Sequence, residues 1–346
     1  MSLQIKHVDI VCGLAWGDEA KGKIVSNLIE TNNYDWVCRW SGSHNAGHTI
    51  FVNGEKFVTH IIPAGVFHGV NSLIGPDCLV NISELKKEMF YLSDHGIDLS
   101  KLYISSNVNI ITENHKLEDK NRYMKTQGST GKGVAPCARD KYARTGTLLS
   151  NLPNNELSDL FVFNKNIIFD IKNLYGNILC EGAQGNWLDI NFGNYPYVTS
   201  ANTLPYTACS LGFSPRKIRD IYGATKIYDT RVGVDPDFTD DLLKDNVLSK
   251  IAEVGSEFGA TTGRTRKVNW LNLDKLIDSI NISGSNKIII SKVDILEKIN
   301  VFKVIYDHKT KEFDSLNKMI RFVNDTILNL CSEVNSISFS NNPYSI

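Results

Sequence analysis

The stretch "WGDEAKGKI" at residues 16–24 contains the residue types of a phosphate-binding loop. It has the spacing Gly17-x-x-x-x-Gly22-Lys23, and it follows a short apolar run that ends at Gly13. The backbone N–H groups of such a loop, and the start of the helix after it, can hold phosphate oxygens. The stretch therefore predicts a nucleoside phosphate site, although a polar turn that caps a helix can have a similar composition.

Two features of this loop are unusual. Ile24 stands where a hydroxyl that helps to hold Mg²⁺ is expected, and Asp18 and Glu19 place carboxylates inside the loop. Because Mg²⁺ prefers oxygen ligands, a loop carboxylate could take the place of the hydroxyl. Asp18 could also act as a base toward a second substrate that lies against the γ-phosphate. Both roles indicate chemistry at the terminal phosphate of a nucleoside triphosphate.

The segment "WSGSHNAGHTIFVNG" at residues 40–54 surrounds His44, Asn45 and His48 with small residues. The two histidines are spaced as in some zinc-binding helices, but Gly47 lies between them and no third ligand is nearby. We favour a loop that offers backbone amides, an amide side chain and an imidazole to an oxyanion. Two surface histidines in a glycine-rich turn are the alternative.

Four further segments could bind anions or a purine base. Residues 126–146 combine glycines and hydroxyls with cations, and the polar run 181–203 follows a predicted strand. Residues 258–274 carry arginines, which suit carboxylate or phosphate. The fourth, 288–296, is an apolar run that ends in Lys-x-Asp, and GTP-binding proteins use a similar element to recognise guanine. A solvated charged surface is the alternative for the polar segments.

Strands and helices alternate along the sequence. Strands are predicted at 8–13, 56–62, 101–106, 166–171, 177–182 and 286–296, and helices after Lys21, at 82–96 and at 315–334. This order predicts an α/β fold, with a mostly parallel central sheet and long active-site loops. We expect one large domain over 1–346, with active-site elements at about 13–294 and a base-binding region at about 286–346.

Composition excludes several classes of protein. The 346 residues carry a net charge of -1, which gives no indication of a basic nucleic-acid-binding face. No apolar run reaches the roughly 20 residues that span a bilayer, and the first residues do not form a signal peptide. The seven cysteines are scattered and form no C-x-x-C pair, so we expect reduced thiols in a cytoplasmic protein.

The motifs together resemble those of the adenylosuccinate synthetase family. The resemblance covers about 13 to 294 and depends most on "HNAGHT", "GSTGKG", "EGAQG", "YPYVTS" and "ATTGRTR", with "KVD" at the end. The length is similar to that of compact archaeal or viral members. This family joins L-aspartate to IMP with hydrolysis of GTP, through a 6-phosphoryl intermediate. A phosphate loop like that of P-loop NTPases is therefore expected, with Mg²⁺ as cofactor.

The resemblance implies a role for each matching residue. Asp18 would be the base toward N1 of IMP, His48 would donate toward the phosphates and O6, and Asp18 and the Gly47 carbonyl would ligate Mg²⁺. The implied triphosphate contacts are Gly17, Glu19, Lys21, Gly22, Lys23, Gly47, Thr49, Arg266, Lys292 and Asp294. The implied IMP contacts are Asn45, Thr130, Arg144, Gln184, Thr199, Val232 and Arg264. The implied aspartate contacts are Ala260, Thr261, Thr262, Gly263, Arg264 and Arg266.

The resemblance also implies partners and a compartment. The substrates are small molecules, and Arg144 would reach the IMP phosphate of the other subunit in a homodimer. No nucleic acid or membrane partner is expected. The compartment would be the cytoplasm, or the host cytoplasm for a viral protein.

Several positions depart from the family pattern. Ala20 and Asp235 stand where glycine is usual, Ala15 where glutamine is usual, Lys132 where bacterial members have arginine, and Asn191 where aspartate is expected.

The tail "ISFSNNPYSI" at 337–346 lacks the Thr-Gly-Pro turn that completes guanine recognition in the family. This leaves GTP or ATP open as the donor. A phage relative joins aspartate to dGMP, can use ATP and serves 2-aminoadenine DNA synthesis. Since its best-known members lack the loop aspartate, Asp18 favours IMP. A regulatory GTP switch or a nucleoside-phosphate kinase would not need the "ATTGRTR" segment.

Overall fold

The computed structural model describes residues 4–52, 54–258 and 265–342. Its strands, numbered in chain order, are β1 (Ile5–Gly13), β2 (Trp36–Gly42), β3 (His48–Val52), β4 (Glu55–Thr59), β5 (Asn71–Val80), β6 (Leu102–Ser105), β7 (Asn109–Ile110), β8 (Ile168–Phe169), β9 (Gly176–Glu181), β10 (Ile218–Lys226), β11 (Tyr228–Arg231), β12 (Lys267–Asn272), β13 (Lys287–Ser291), β14 (Phe302–Tyr306), β15 (Lys309–Phe313) and β16 (Ser336–Phe339). Its α-helices are α1 (Lys21–Thr31), α2 (Ile82–Asp94), α3 (Glu113–Glu118), α4 (Met124–Gln127), α5 (Val134–Ala143), α6 (Asn154–Phe163), α7 (Asn246–Val254), α8 (Leu273–Ser283), α9 (Val293–Ile299) and α10 (Leu316–Leu330).

A ten-stranded sheet forms the centre of the fold, in the order β16, β13, β10, β1, β9, β2, β5, β6 and β8, with β7 paired to β5. Its strand pairs are parallel. Residues 8–13 of β1 are buried, as expected for a central parallel strand covered on both faces. The structure therefore confirms the predicted α/β class with a mostly parallel sheet.

Two smaller sheets flank this centre. One has the order β11, β12, β14, β15, and the other is the antiparallel hairpin of β3 and β4. The hairpin lies directly against the start of α1, where a Cβ on Gly22 would come within 3.2 Å of the Thr49 carbonyl. A side chain here would crowd that carbonyl, so glycine lets the hairpin pack closely beside the phosphate loop.

The predicted helix after Lys21 is confirmed as α1. Its apolar residues Ile24, Val25, Leu28 and Ile29 are buried in a core that also contains Val11 of β1. Helix α2 begins at an Asn81 cap, whose side chain accepts the Glu84 N–H. The predicted helix at 315–334 is confirmed as α10, although it ends earlier, at Leu330.

One predicted strand is partly wrong. The run 286–296 contains β13 only as far as Ser291, and α9 begins at Val293. Lys292 has left-handed backbone angles (φ 67°), which end the strand and start the helix. The predicted strands at 56–62 and 166–171 are shorter in the structure, where they are β4 and β8.

The cysteines form no disulfide, and only Cys209 among them is partly exposed. Within the described ranges, no helix has both the length and the apolar character needed to cross a membrane.

Candidate active site

A cavity of about 680 Å³ opens where the loops after β1, β2, β9 and β13 meet. It brings together most of the residues that the sequence predicted for substrates and catalysis. These are Gly17, Asp18, Glu19, Lys21, Gly22, Lys23, Asn45, Gly47, His48, Thr49, Thr130, Gln184, Thr199, Val232, Arg266, Lys292 and Asp294. Arg144 does not line it, and residues 260–264 lie outside the described part of the chain.

The phosphate loop, residues 14–20, is held from inside by Glu19. This side chain is fully buried, and its Oε1 accepts the N–H groups of Ala15 (3.2 Å) and Gly17 (2.7 Å). Its Oε2 lies 2.5 Å from Nζ of Lys21. A Cβ on Gly185 would come within 2.4 Å of the Glu19 carboxylate, so that glycine leaves room for it. Glu19 thus shapes the loop and fixes the lysine at its end.

Asp18, the other loop carboxylate, is directed to the cavity and has a partly exposed side chain. Its Oδ2 lies 2.9 Å from Nε of Arg266, whose other end pairs with Glu257 at 2.6 Å. Glu257 also accepts hydrogen bonds from Tyr228 (2.7 Å) and Lys226 (3.1 Å). Burial alone would raise the pKa of Glu257, but Lys226 and Arg266 lower it to about 2. An ionised, buried carboxylate thus fixes Arg266 opposite Asp18.

His48, the first residue of β3, is also oriented by a buried carboxylate. Its Nδ1 donates to Oε1 of Glu181, and Oε2 of Glu181 accepts the Ala64 N–H at 2.8 Å. Arg39 lies 3.8 Å from the same carboxylate and is fully buried. Burial, followed by the charge of Arg39, lowers the pKa of His48 to about 4. In this state the imidazole is neutral with its proton on Nδ1, which leaves Nε2 for a ligand.

The loop between β2 and β3 carries polar atoms that have no partner within the described residues, namely Oδ1 of Asn45 and Nε2 of His44. The loop is fixed by a hydrogen bond of 2.8 Å from His60 to the Ala46 carbonyl. Glu88 of α2 in turn accepts three backbone N–H groups, from His60 and the two residues after it. Asn45 is therefore held at the cavity with an acceptor still available.

The zinc alternative for the two histidines is not supported. They lie in a turn and at the start of a strand, not on a helix, and their Nδ1 atoms contact Ser43 and Glu181. In the part of the chain that the structure describes, no three His, Cys, Asp or Glu side chains group as metal ligands.

The loop after β9 contributes Gln184 and Thr199. Gln184 has left-handed backbone angles (φ 59°), and its buried Oε1 has no partner among the residues described. Asp235, one of the departures from the family pattern, is buried and accepts hydrogen bonds from Trp16 (3.1 Å) and Asn194 (2.9 Å). This aspartate therefore connects three segments behind the cavity wall.

The far end of the cavity is formed by Lys292, Asp294 and the C-terminal tail. Lys292 donates to the Gly255 carbonyl at 2.7 Å, and Asp294 lies in the first turn of α9. Asn341 and Asn342 line the same cavity. Lys23 of α1 donates to Ser340 and to the Asn342 carbonyl, and burial lowers its pKa to about 8. The tail thus reaches the end of the cavity at which Lys292 and Asp294 lie, even though the sequence lacks the Thr-Gly-Pro turn.

Arg144 is exposed and has left-handed backbone angles (φ 64°) at the end of α5. It does not line the cavity of its own chain.

The sequence did not single out Glu181, Arg39, Glu257 or Glu88, because each acts through another residue. Their contacts with the site residues join segments that are far apart in the chain; Glu181 and His48, for example, are 133 positions apart. The available signal was a charged residue at the end of a buried strand, as in Glu181 of β9.

A family model for adenylosuccinate synthetase matches residues 10–166 and 154–327. An adenylosuccinate synthetase from Christiangramia forsetii is 36% identical over 89% of this chain and 84% of its own length. One from Parabacteroides distasonis is 36% identical over 92% of this chain and 85% of its own length. One from Thermodesulfovibrio yellowstonii is 37% identical over 87% of this chain and 80% of its own length.

Two solved structures are also similar. A fully ligated adenylosuccinate synthetase from Plasmodium falciparum aligns with a TM-score of 0.80 and 26% identity, over 98% of both chains. The succinoaminodeoxyadenylate synthetase of cyanophage S-2L, bound to dGMP and dATP, aligns with a TM-score of 0.68 and 18% identity, over 94% of this chain and 100% of its own. The second likeness concerns the fold alone. Since the family model and the curated relatives cover most of the sequence, this chain belongs to the adenylosuccinate synthetase family.

Proposed function

We propose that this chain joins L-aspartate to carbon 6 of IMP, with hydrolysis of GTP, and so makes adenylosuccinate for purine nucleotide synthesis. The observation that carries this proposal is Asp18, a carboxylate inside a phosphate loop that faces a cavity shared with His48 and Asp294. A base beside the γ-phosphate is what a ligase needs when it must activate O6 of a purine. A kinase can also use a carboxylate there, but neither a kinase nor a nucleotide switch would need the "ATTGRTR" segment for an amino acid.

The reaction follows from the position of Asp18. Asp18 accepts the N1 proton of IMP, and the electron density that this leaves on O6 attacks the γ-phosphorus. The bond between the γ-phosphorus and the β–γ bridging oxygen breaks, and GDP leaves. The amine of aspartate then attacks carbon 6, and the C6–O bond breaks to release phosphate. Phosphorylation of O6 thus turns a poor leaving group into a good one.

His48 supports both steps through its Nε2, which donates once the negative charge of the bound phosphates brings a second proton onto the ring. Because Glu181 fixes Nδ1, the ring cannot turn away from the cavity. It can therefore remain aligned with the oxygens of the transferred phosphoryl group and with O6, where charge develops. The guanidinium of Arg266 would bind a carboxylate of aspartate, together with residues 260–264.

Mg²⁺ is the expected cofactor, and the residues present fit it. The Asp18 carboxylate and the Gly47 main chain both line the cavity. Mg²⁺ commonly binds one or two protein oxygens and takes its other ligands from phosphates and water. When bound, it would neutralise charge on the phosphates. Asp18 and Gly47 would hold it, and Lys21 would add a second positive charge at the loop.

The remaining assignments concern the two nucleotides. Asn45, Thr130, Gln184, Thr199 and Val232 would hold IMP, and the Arg144 of a second subunit would reach its phosphate in a homodimer. Lys292 and Asp294 would recognise the base of the triphosphate. A carboxylate accepts hydrogen bonds from N1–H and N2–H₂ of guanine but faces an acceptor on adenine, which favours GTP over ATP.

Phosphate release in the presence of L-aspartate and Mg²⁺ tests the proposal, with IMP or dGMP paired in turn with GTP or ATP. We expect turnover with IMP and GTP that requires aspartate. Turnover with dGMP but not with IMP would show that dGMP is the acceptor. This result would indicate a role in modified-DNA synthesis. Phosphate release that does not depend on aspartate would contradict the ligase.

A further inference from the structure

The segment 128–133 forms part of the cavity wall and contains Thr130. Three of its six residues are glycines with positive φ: Gly128 (68°), Gly131 (68°) and Gly133 (81°). Glycine adopts these angles without strain but gains much conformational freedom when the chain is released. A stable position for Thr130 therefore needs contacts from outside the segment.

Asp119 supplies those contacts. Its side chain is fully buried. Its Oδ1 accepts the Ser129 hydroxyl at 2.6 Å, and its Oδ2 accepts the Gly133 N–H at 2.7 Å. Thr130 lies between these two attachment points. The Ser129 oxygen also accepts the Gly131 N–H at 3.3 Å, so one carboxylate fixes both ends of the loop and, through Ser129, its middle.

The backbone conformation at Asp119 directs its side chain toward segment 128–133. Asp119–Tyr123 is a π-helical turn inserted between α3 and α4. Such turns are frequent at functional sites, because the extra residue changes the direction of a side chain. None of the ion pairs among the described residues involves Asp119. A buried carboxylate without a cation is costly, and its two hydrogen bonds to segment 128–133 offset that cost.

A purely structural role would be to cap α5, which begins after Gly133. The hydrogen bond to the Gly133 N–H fits such a role, but the one to Ser129 does not, since Ser129 lies before the helix and beside Thr130. If Asp119 were only a helix cap, its loss would weaken the binding of all substrates to the same degree.

We infer that Asp119 is a positioning residue for the purine monophosphate, because it holds Thr130 and its neighbours in place before the ligand arrives. This inference rests on the proposed function for the identity of the ligand. Without the Asp119 contacts, binding of the monophosphate must order segment 128–133, and this cost weakens binding. The triphosphate lies at the loop 14–20, which Glu19 holds independently.

Steady-state kinetics of Asp119→Ala, Asp119→Asn and Ser129→Ala test the inference, with KM measured for each substrate. We expect Asp119→Ala to raise KM for the monophosphate about 10- to 100-fold and to change KM for the triphosphate less than about threefold. Asn can accept the Gly133 N–H and donate to Ser129, so Asp119→Asn should recover most of the loss. Ser129→Ala, which removes one of the two bonds, should fall between them.

Asp98→Ala is the matched control. Asp98 also accepts a serine hydroxyl and a backbone N–H, both from Ser100 at 2.8 Å, but in an exposed turn away from the cavity. Its removal should leave every KM unchanged. Equal increases in KM for all substrates in Asp119→Ala, or unchanged values in both Asp119→Ala and Ser129→Ala, would overturn the inference.

Hydrogen exchange of the ligand-free protein gives a readout that does not depend on the substrate. We expect the amides of 128–133 to exchange faster in Asp119→Ala and Ser129→Ala, and the amides of the phosphate loop to keep their rates. If the wild type does not use IMP, the proposed function fails while this measurement still decides the role of Asp119. Unchanged exchange in 128–133 would overturn the inference. If Asp119→Ala does not fold, the comparison of Ser129→Ala with the wild type provides the same test.

Discussion

The loops at 14–20 and 128–133 both line the cavity, but they are held in different ways. The first connects β1 directly to α1 at the centre of the sheet, and its own Glu19 binds its own backbone. The second connects two helical segments away from that centre. It is held by Asp119, which lies ten residues before Ser129.

The two loops thus represent two ways of stabilising a loop that lines a binding cavity. A loop that contains its own anchor keeps its shape when neighbouring residues change. A loop with an external anchor depends on a residue that contacts no ligand. Asp18, the proposed base, lies on the first kind of loop, so its chemistry and the loop geometry should be separable by mutation.

Asp18→Asn should have the largest effect on turnover. It removes the base and keeps the side-chain shape, while Glu19 still holds the loop. Loss of a general base costs about 10²- to 10⁴-fold in rate. We expect kcat to fall by at least that amount, and calorimetric binding of the triphosphate without Mg²⁺ to change little.

Glu19→Gln is the contrasting variant. It removes the charge that pairs with Lys21 and weakens the acceptor for two loop amides. Here the free energy of unfolding and the triphosphate affinity should both decrease. If Asp18→Asn retained turnover within tenfold of wild type, Asp18 would not be the base. If Glu19→Gln kept full stability and triphosphate affinity, the first loop would not be anchored from within.

Glu181→Gln tests whether His48 also depends on an external anchor. His48 lies on a strand, but the position of its ring depends on Glu181. A glutamine carries no negative charge, so it does not stabilise the doubly protonated ring that donates through Nε2. Loss of such an orienting carboxylate costs about 10- to 100-fold in activity. We expect kcat to fall by this factor and KM for both nucleotides to change little.

Asp9→Asn provides the control for removal of a buried negative charge. Asp9 lies on β1, next to β9, and accepts hydrogen bonds from Tyr34 (2.6 Å) and Arg219 (3.0 Å). This variant should be less stable but should keep its kcat. An equal loss of kcat in both variants would mean that Glu181 acts on the sheet as a whole and not on His48.

The same distinction explains which parts could be predicted from the sequence. The strand, the glycines, the carboxylates and the helical face around loop 14–20 lie within about twenty-five consecutive residues, and periodicity reveals each of them. Periodicity did not reveal the break at Lys292, because a single residue with positive φ ends the strand inside a continuous apolar run. A short apolar run has the same appearance in a buried strand and in a buried helix.

The external anchors could not be found in this way. Glu257 and Arg266 are close in the chain, but Asp18, which Arg266 meets, is far from both. A buried carboxylate also has no pattern of its own until the structure shows which N–H groups it accepts. The resemblance to a family located the residues that would touch substrates, and the structure added those that hold them in place.

Ala20→Gly should have the smallest effect. Ala20, the residue before α1, has left-handed backbone angles (φ 63°, ψ 31°), which cost a residue with a Cβ about 1–2 kcal/mol. Glycine removes this strain but loses more entropy on folding, which returns about 0.5–1 kcal/mol. We expect the free energy of unfolding to rise by roughly 0.5–1 kcal/mol, measured by urea titration, with kcat within about threefold of wild type.

Ala252→Gly should change the free energy of unfolding in the opposite direction, toward lower stability. Ala252 lies inside α7, where glycine costs about 1 kcal/mol relative to alanine. Stabilisation by Ala20→Gly and destabilisation by Ala252→Gly would show that the phosphate loop keeps its shape against a backbone penalty. If both variants were destabilised equally, the angles at Ala20 would carry no strain, and the contacts of Glu19 would not need to overcome any. The internal anchor would then select the geometry of loop 14–20 without holding it against an opposing force.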